Sequence, residues 1–85
     1  MENYEYDYIV NSIPNEELYY KQCAELEKRL PGIQKLDELQ DVDGSRLQKY
    51  LFNGKSIRVI NDFYLNDVHV VSEIQLNQFI LRNEE

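Results

Sequence analysis

The sequence predicts an α+β fold in which an antiparallel β-meander of about four strands, within residues 35–76, packs against one main α-helix over about residues 15–30. Two observations favour this fold class. The second half of the chain contains hairpin signals between β-rich segments, and the first half contains one amphipathic helical stripe. The length of 85 residues is that of one small domain, which we assign to residues 1–85.

The clearest hairpin signal is Asn53-Gly54, because both residues tolerate the positive φ angles of a type I′ turn. The flanking segments are rich in β-branched and aromatic residues, as strands are. Taking these two residues as the loop fixes the register of strands 45–52 and 56–63. The predicted pairs are Phe52 with Lys55, Tyr50 with Ile57, Lys49 with Arg58, and Leu47 with Ile60.

A second turn is predicted at residues 64–67, before a strand over 68–76. This loop places Arg58 opposite Glu73 and Asp62 opposite His69, and opposite charges in such positions stabilise a sheet. The predicted core face carries Tyr50, Phe52, Ile57, Val59, Phe63, Val68, Val70 and Ile74. The other face is mixed and carries Leu47, Lys49, Arg58, Ile60, Asp62, His69, Val71 and Glu73.

The helix is predicted to begin near Pro14, which is tolerated in a first turn, and to end before Pro31-Gly32. Its apolar stripe consists of Leu18, Tyr19, Cys23, Leu26 and Leu30. We expect this stripe to cover the core face of the sheet, so that Leu26 and Val59 are both buried. Cys23 lies on the stripe and is expected to be a buried structural thiol rather than a nucleophile.

Residues 33–42 allow two interpretations. Ile33, Leu36 and Leu39 are spaced as in a short helix, whereas Asp43-Gly44 is a second hairpin signal. We predict a strand over 35–42 with Asp43-Gly44 as the loop. Asp41 then lies opposite Arg46, and a charged row Glu38–Lys49–Arg58–Glu73 crosses the sheet.

The two ends of the chain give weaker patterns. Tyr4, Tyr6 and Tyr8 alternate with acidic residues as in a strand, but residues 3–13 also fit a short helix. We interpret this segment as a helix or irregular arm whose tyrosines either cover the core edge or form a contact surface. Residues 77–85 are predicted to form a short docking helix or to extend the last strand.

The net charge of −7 argues against direct binding of nucleic acid or of anionic membranes. The single cysteine excludes an intramolecular disulfide and fits a reducing compartment. The acidic N-terminus lacks the features of a signal peptide, and no apolar run has the length of a transmembrane helix. We therefore expect a cytoplasmic protein.

No pattern predicts catalysis or a cofactor. The segment Asp41-Val42-Asp43-Gly44 lacks the other ligands of an EF-hand loop, and one histidine with one cysteine cannot form a zinc site within the chain. His69 with Asp62 resembles a surface pair more than a general base and its orienting carboxylate. The sequence therefore predicts no enzyme, no metal and no cofactor.

Small acidic tyrosine-rich chains without catalytic groups often bind another macromolecule. Immunity proteins, antitoxins and phage-encoded inhibitors cover the basic surfaces of their partner proteins. We expect this function here, with Asp37, Asp41 and Asp43 as the partner-binding residues. The alternative is a self-associating structural or accessory subunit, a homodimer formed through the mixed sheet face or through the tyrosine arm.

Overall fold

The computed structural model describes residues 4–81, and within them five strands form one antiparallel sheet with one α-helix packed across it. The elements are β1 Tyr6–Asn11, α1 Glu16–Arg29, β2 Gln34–Gln40, β3 Arg46–Phe52, β4 Lys55–Asp62 and β5 Asp67–Ser72, followed by a 3-10 turn at Asn77–Phe79. The strand order is β1-β5-β4-β3-β2. The meander β2–β5 and its helix confirm the predicted α+β fold, and β1 adds a fifth strand that the prediction lacked.

The N-terminal segment forms strand β1, so its interpretation as a helix or irregular arm is wrong. Tyr6 pairs with Ser72 and Tyr8 with Val70 in antiparallel register. The Tyr8 hydroxyl also accepts a hydrogen bond from the backbone N–H of Leu76 at 2.8 Å. The alternation of tyrosines with acidic residues already indicated a strand. The strand with which β1 pairs, β5, lies far from it along the chain. Asn3 lies outside the described residues.

The β3–β4 hairpin has the predicted turn and register. Asn53 and Gly54 have φ angles of 52° and 77°, as a type I′ turn requires. Tyr50 pairs with Ile57 and the other three predicted pairs also form. The turn chemistry of this hairpin is local, which explains why the sequence predicts its register in full.

The turn between β4 and β5 comprises residues 63–66, so the predicted register is wrong by two residues. Asp62 pairs with Asp67, and its Oδ1 accepts hydrogen bonds from the N–H groups of Tyr64 at 2.8 Å and Leu65 at 2.9 Å. Asn66 ends the turn with a φ of 64°, a conformation that asparagine tolerates. The Asp62 carboxylate binds backbone N–H groups of the turn and thereby stabilises the end of β4 at this residue.

The shifted register changes the cross-strand partners but not the faces, because side chains alternate with a period of two. Arg58 pairs with Val71 rather than with Glu73. His69 lies opposite Ile60, not opposite Asp62. Phe63 was predicted in the core and is instead 50% exposed, since it belongs to the turn.

The β2–β3 loop comprises residues 42–44 rather than Asp43-Gly44 alone. Asp41 N–H donates to the Ser45 carbonyl at 2.8 Å, and Gly44 has a φ of 94°. The extra loop residue places Glu38 opposite Gln48, on the face that the helix covers. The predicted charged row through Glu38 and Lys49 is therefore wrong.

The core lies between α1 and the sheet. Leu26 and Val59 are both fully buried, as predicted, and Tyr50 is 1% exposed. The helix begins at the Asn15 N-cap, whose side chain accepts a hydrogen bond from Leu18 N–H at 3.0 Å. Leu18, which was predicted on the apolar stripe, is half-buried.

A buried glutamine on α1 holds the C-terminal segment. Gln22 is fully buried, its Nε2 donates to the Phe79 carbonyl at 2.9 Å, and its Oε1 accepts from Leu81 N–H at 2.7 Å. The tail thus docks through a 3-10 turn, and residues 82–85 lie outside the described part of the chain. Within residues 4–81, no helix is both long and apolar enough to cross a membrane.

Candidate functional site

One face of the sheet is covered by α1, and the opposite face, called the open face here, has no helix across it within residues 4–81. A row of side chains crosses the open face through the paired positions of all five strands. The row is Leu39, Leu47, Ile60, His69 and Ile9. Leu39 and Ile9, at the two edge strands, are each 53% exposed, so this row is largely apolar and accessible at both ends.

The β2 side of this row forms the floor of a groove of about 480 Å³. Leu39, Leu47 and Ile60 supply the apolar floor. Asp41, Asp43 and Asp62 belong to its lining, as does Tyr64, which is 88% exposed. An apolar centre with a charged margin and an accessible aromatic ring is the usual composition of a protein-binding surface.

The two loops beside the groove are joined to each other. Phe63 N–H donates to the Ser45 hydroxyl oxygen at 2.9 Å, which connects the β4–β5 turn to the start of β3. A Cβ atom added at Gly44 would lie 3.3 Å from the Phe63 ring, so this glycine lets the ring approach closely. The relative position of the two loops is therefore fixed by contacts rather than left to the turns alone.

Each acidic side chain of the groove is oriented by backbone donors of its own loop. Asp41 Oδ1 accepts from Val42 N–H at 2.7 Å, and Asp43 Oδ1 accepts from Ser45 N–H at 2.9 Å. The pKa of Asp43 is lowered by this backbone hydrogen bond and by the Ser45 hydroxyl, which keeps its carboxylate ionised. Asp41 and Asp43 are exposed, so their carboxylates are accessible to a partner.

Arg46 is the basic residue in the groove lining, and its charge is already engaged on the helix side. Its Nε lies 2.7 Å from Glu16 Oε2, and its Nη1 lies 3.6 Å from Glu38 Oε1. Its guanidinium therefore has carboxylate partners other than the three aspartates of the groove. The charged residues of the lining are three aspartates and one arginine, which together give a formal charge of −2.

The structure brings two of the three predicted binding residues together. Asp41 and Asp43 both line the groove. Asp37 lies outside it, at the β-bulge of β2, and lines a separate depression with Lys35 and Lys49. The proximity of these two basic residues makes Asp37 a weaker candidate for binding a cation.

The sequence interpretation missed Asp62 and Tyr64 as site residues. Asp62 was assigned to a pair with His69, whereas His69 Nδ1 in fact lies 2.7 Å from Asp67 Oδ1. The sequence does contain a signal that this turn is part of a binding surface. Its apolar and aromatic run, Phe63-Tyr64-Leu65, is unusual in a turn, where small polar residues dominate.

Other reactive groups lie away from the groove. Cys23 is 5% exposed, and burial raises the pKa of its thiol to about 11, which makes it a poor nucleophile. In the described part of the chain, no three His, Cys, Asp or Glu side chains converge in a way that could hold a metal ion.

Comparison with known proteins adds no assignment: no family model, curated protein or solved structure matches this chain.

Proposed function

We propose that this protein is a small acidic binding module of the inhibitor or immunity type, which covers a basic surface of a partner protein. The groove on the open face supports this most directly, because it combines an apolar floor with three aspartates, and its basic lining residue, Arg46, contacts Glu16 and Glu38. The net charge of −7 would add long-range attraction to a basic partner. In this proposal the protein acts by occupying the partner's surface, with no catalytic step.

We further propose that the protein acts in the cytoplasm and that its direct partners are neither nucleic acids nor membranes. Cys23, the one cysteine, is a buried free thiol, which fits a reducing compartment. An acidic surface of this kind would be repelled by phosphate backbones and by anionic lipids.

The proposal predicts that reversing two charges in the groove abolishes capture of the partner. The Asp41→Lys, Asp43→Lys double variant, wild type and a matched control would each be immobilised and exposed to lysate of the native host. The control, Glu5→Lys with Glu17→Lys, changes the net charge equally at exposed positions away from the groove. We expect a protein with a basic surface to bind wild type and the control but not the groove variant.

The captured protein would then be purified for association kinetics at low and high salt. Steering by opposite charge predicts that the groove variant associates at least about tenfold more slowly at low salt, with a smaller difference at high salt. Circular dichroism would check that the variants remain folded. If every protein that wild type retains is also retained by the groove variant, the groove is not the interface.

A second candidate function is self-association through the open face, and the exposed apolar row that ends in Leu39 and Ile9 favours it. Light scattering after size-exclusion chromatography separates the two candidates. A dimer at micromolar concentration that Leu39→Glu converts to a monomer would support self-association. A monomer at that concentration would favour the basic partner.

A further inference from the structure

Two arginines of this protein, Arg29 and Arg46, each contact a carboxylate together with an aromatic ring. Arg29 Nη1 lies 2.8 Å from Glu25 Oε2, and its guanidinium lies 5.3 Å from the centre of the Phe79 ring. Arg46, whose carboxylate partners are given above, lies 6.0 Å from the centre of the Tyr20 ring. The two components are complementary, since the carboxylate accepts N–H bonds while the ring faces the planar cation.

The lining of the groove contains the same two components. Asp41, Asp43 and Asp62 supply carboxylate oxygens, and Tyr64 supplies an accessible ring. The guanidinium of Arg46 is directed to Glu16 instead. The apolar floor adds a surface against which the methylene groups of a long basic side chain could pack.

We propose that the groove binds an arginine side chain of the partner protein, in preference to a lysine. This inference rests on the proposed function and specifies which residue of a basic surface enters the groove. The guanidinium is planar, presents five N–H donors and stacks on aromatic rings, whereas an ammonium group is a compact, strongly hydrated charge. Carboxylates from the β2–β3 loop and from the end of β4, in a lining that also contains one ring, match the planar group better.

The positions of the aspartates also favour a group with several donors. Asp43 belongs to the β2–β3 loop and Asp62 to the end of β4, and the contact of Phe63 with Ser45 holds the two segments together. Because backbone N–H groups already bind one oxygen of each carboxylate, little side-chain freedom would be lost on binding.

The test uses three synthetic peptides of sequence acetyl-Gly-Leu-Xaa-Leu-Gly-amide, in which Xaa is arginine, lysine or citrulline. Each is titrated into the full chain while backbone amide signals are followed by NMR. We expect the arginine peptide to shift the amides of Gly44 and Tyr64 and to bind about two- to fivefold more tightly than the lysine peptide. Citrulline has the same shape without the charge and should cause no saturable shift.

Two single variants separate the roles of ring and charge. Tyr64→Ala should reduce the preference for arginine over lysine, and Asp62→Asn should weaken both peptides while keeping an acceptor for the turn N–H groups. Asp37→Asn, outside the groove, is the matched control and should change neither affinity. Equal affinity for the arginine and lysine peptides, or shifts confined to residues outside the groove, would overturn the inference.

Failure of the arginine inference can be distinguished from failure of the proposed function. If capture of a basic protein depends on Asp41 and Asp43 but arginine peptides show no preference, the proposed function stands and the arginine site is rejected. If arginine peptides bind the groove but no captured protein depends on it, the site stands and the inhibitory role is rejected.

Discussion

The two faces of the sheet are built from the same strands, but only one of them lies beneath α1. On the covered face, Ile57, Val59 and Val70 are fully buried beneath α1. On the open face, Leu39 at the edge strand remains 53% exposed. The alternation of side chains along each strand produces both faces, but one helix can cover only one of them.

This difference separates the region that stabilises the fold from the region proposed to bind. The covered face also satisfies its buried polar groups internally, as the Tyr50 hydroxyl donates to Glu27 Oε2 at 2.5 Å and the Tyr19 hydroxyl to Glu38 Oε2 at 2.8 Å. Asp41 and Asp43, which line the groove, are exposed instead. Substitutions should therefore affect stability on one face and binding on the other.

The largest expected effect is on the covered face. Leu26→Ala removes a fully buried side chain and should lower the free energy of unfolding by about 2–4 kcal/mol. Leu39→Ala is the matched open-face control and should cost less than about 1 kcal/mol, since half of that side chain is already exposed. Urea denaturation of both variants measures the two values, and equal losses would contradict the division of roles between the faces.

The second effect is a loss of stability in alkali, which also arises on the covered face. Burial raises the pKa of Cys23 to about 11, and burial together with hydrogen bonding to Glu27 and Glu38 raises the pKa of Tyr50 and of Tyr19. Between the unfolded and folded pKa values, the folded state binds more protons. Stability is therefore full below the unfolded pKa values and falls as pH rises above about 9, by up to about 1.4 kcal/mol per pH unit for each group.

Thermal melts between pH 7 and pH 11, combined with tyrosinate absorbance, would measure this loss. We expect ionisation of Tyr19 and Tyr50 to accompany unfolding rather than to precede it. Tyr50→Phe should flatten the alkaline decline relative to wild type, although it also removes the bond to Glu27. An unchanged melting temperature up to pH 11 would show that these groups do not control alkaline stability.

The smallest effect is expected on the open face, where Lys49 lies directly opposite Arg58. Lys49→Glu replaces a pair of like charges by a pair of opposite charges and should stabilise the protein by about 0.2–1 kcal/mol. Lys55→Glu is the control, because its cross-strand partner is Phe52. A destabilised Lys49→Glu variant would mean that the surroundings of Arg58 already compensate its charge.

Sequence reasoning succeeded where a turn specifies its own geometry. Asn53-Gly54 fixes a two-residue turn, and the β3–β4 register followed from it without error. It failed at the neighbouring turns, where the loop length depends on which side chain caps the backbone. Asp62 caps the β4–β5 turn and shifts the register by two, which left the faces intact but moved Phe63 out of the core.

The candidate site was predicted in part for the same reason. Asp41 and Asp43 lie in a recognisable turn, so their exposure could be inferred from the sequence. Their neighbour Asp62 comes from a different hairpin, and Arg46 turns towards the helix. Neither the position of Asp62 in the groove nor the direction of the Arg46 side chain can be inferred from turn chemistry or from side-chain periodicity.

The sequence alone determined the fold class, the helix, the central hairpin and the two faces of its strands, because turn chemistry and side-chain periodicity are local. The tertiary structure decided that β1 joins the sheet beside β5, since an edge strand is defined by a partner distant in the chain. It also decided that two loops meet through Phe63 and Ser45 to enclose the groove. Contacts between distant segments depend on packing, which no local pattern encodes.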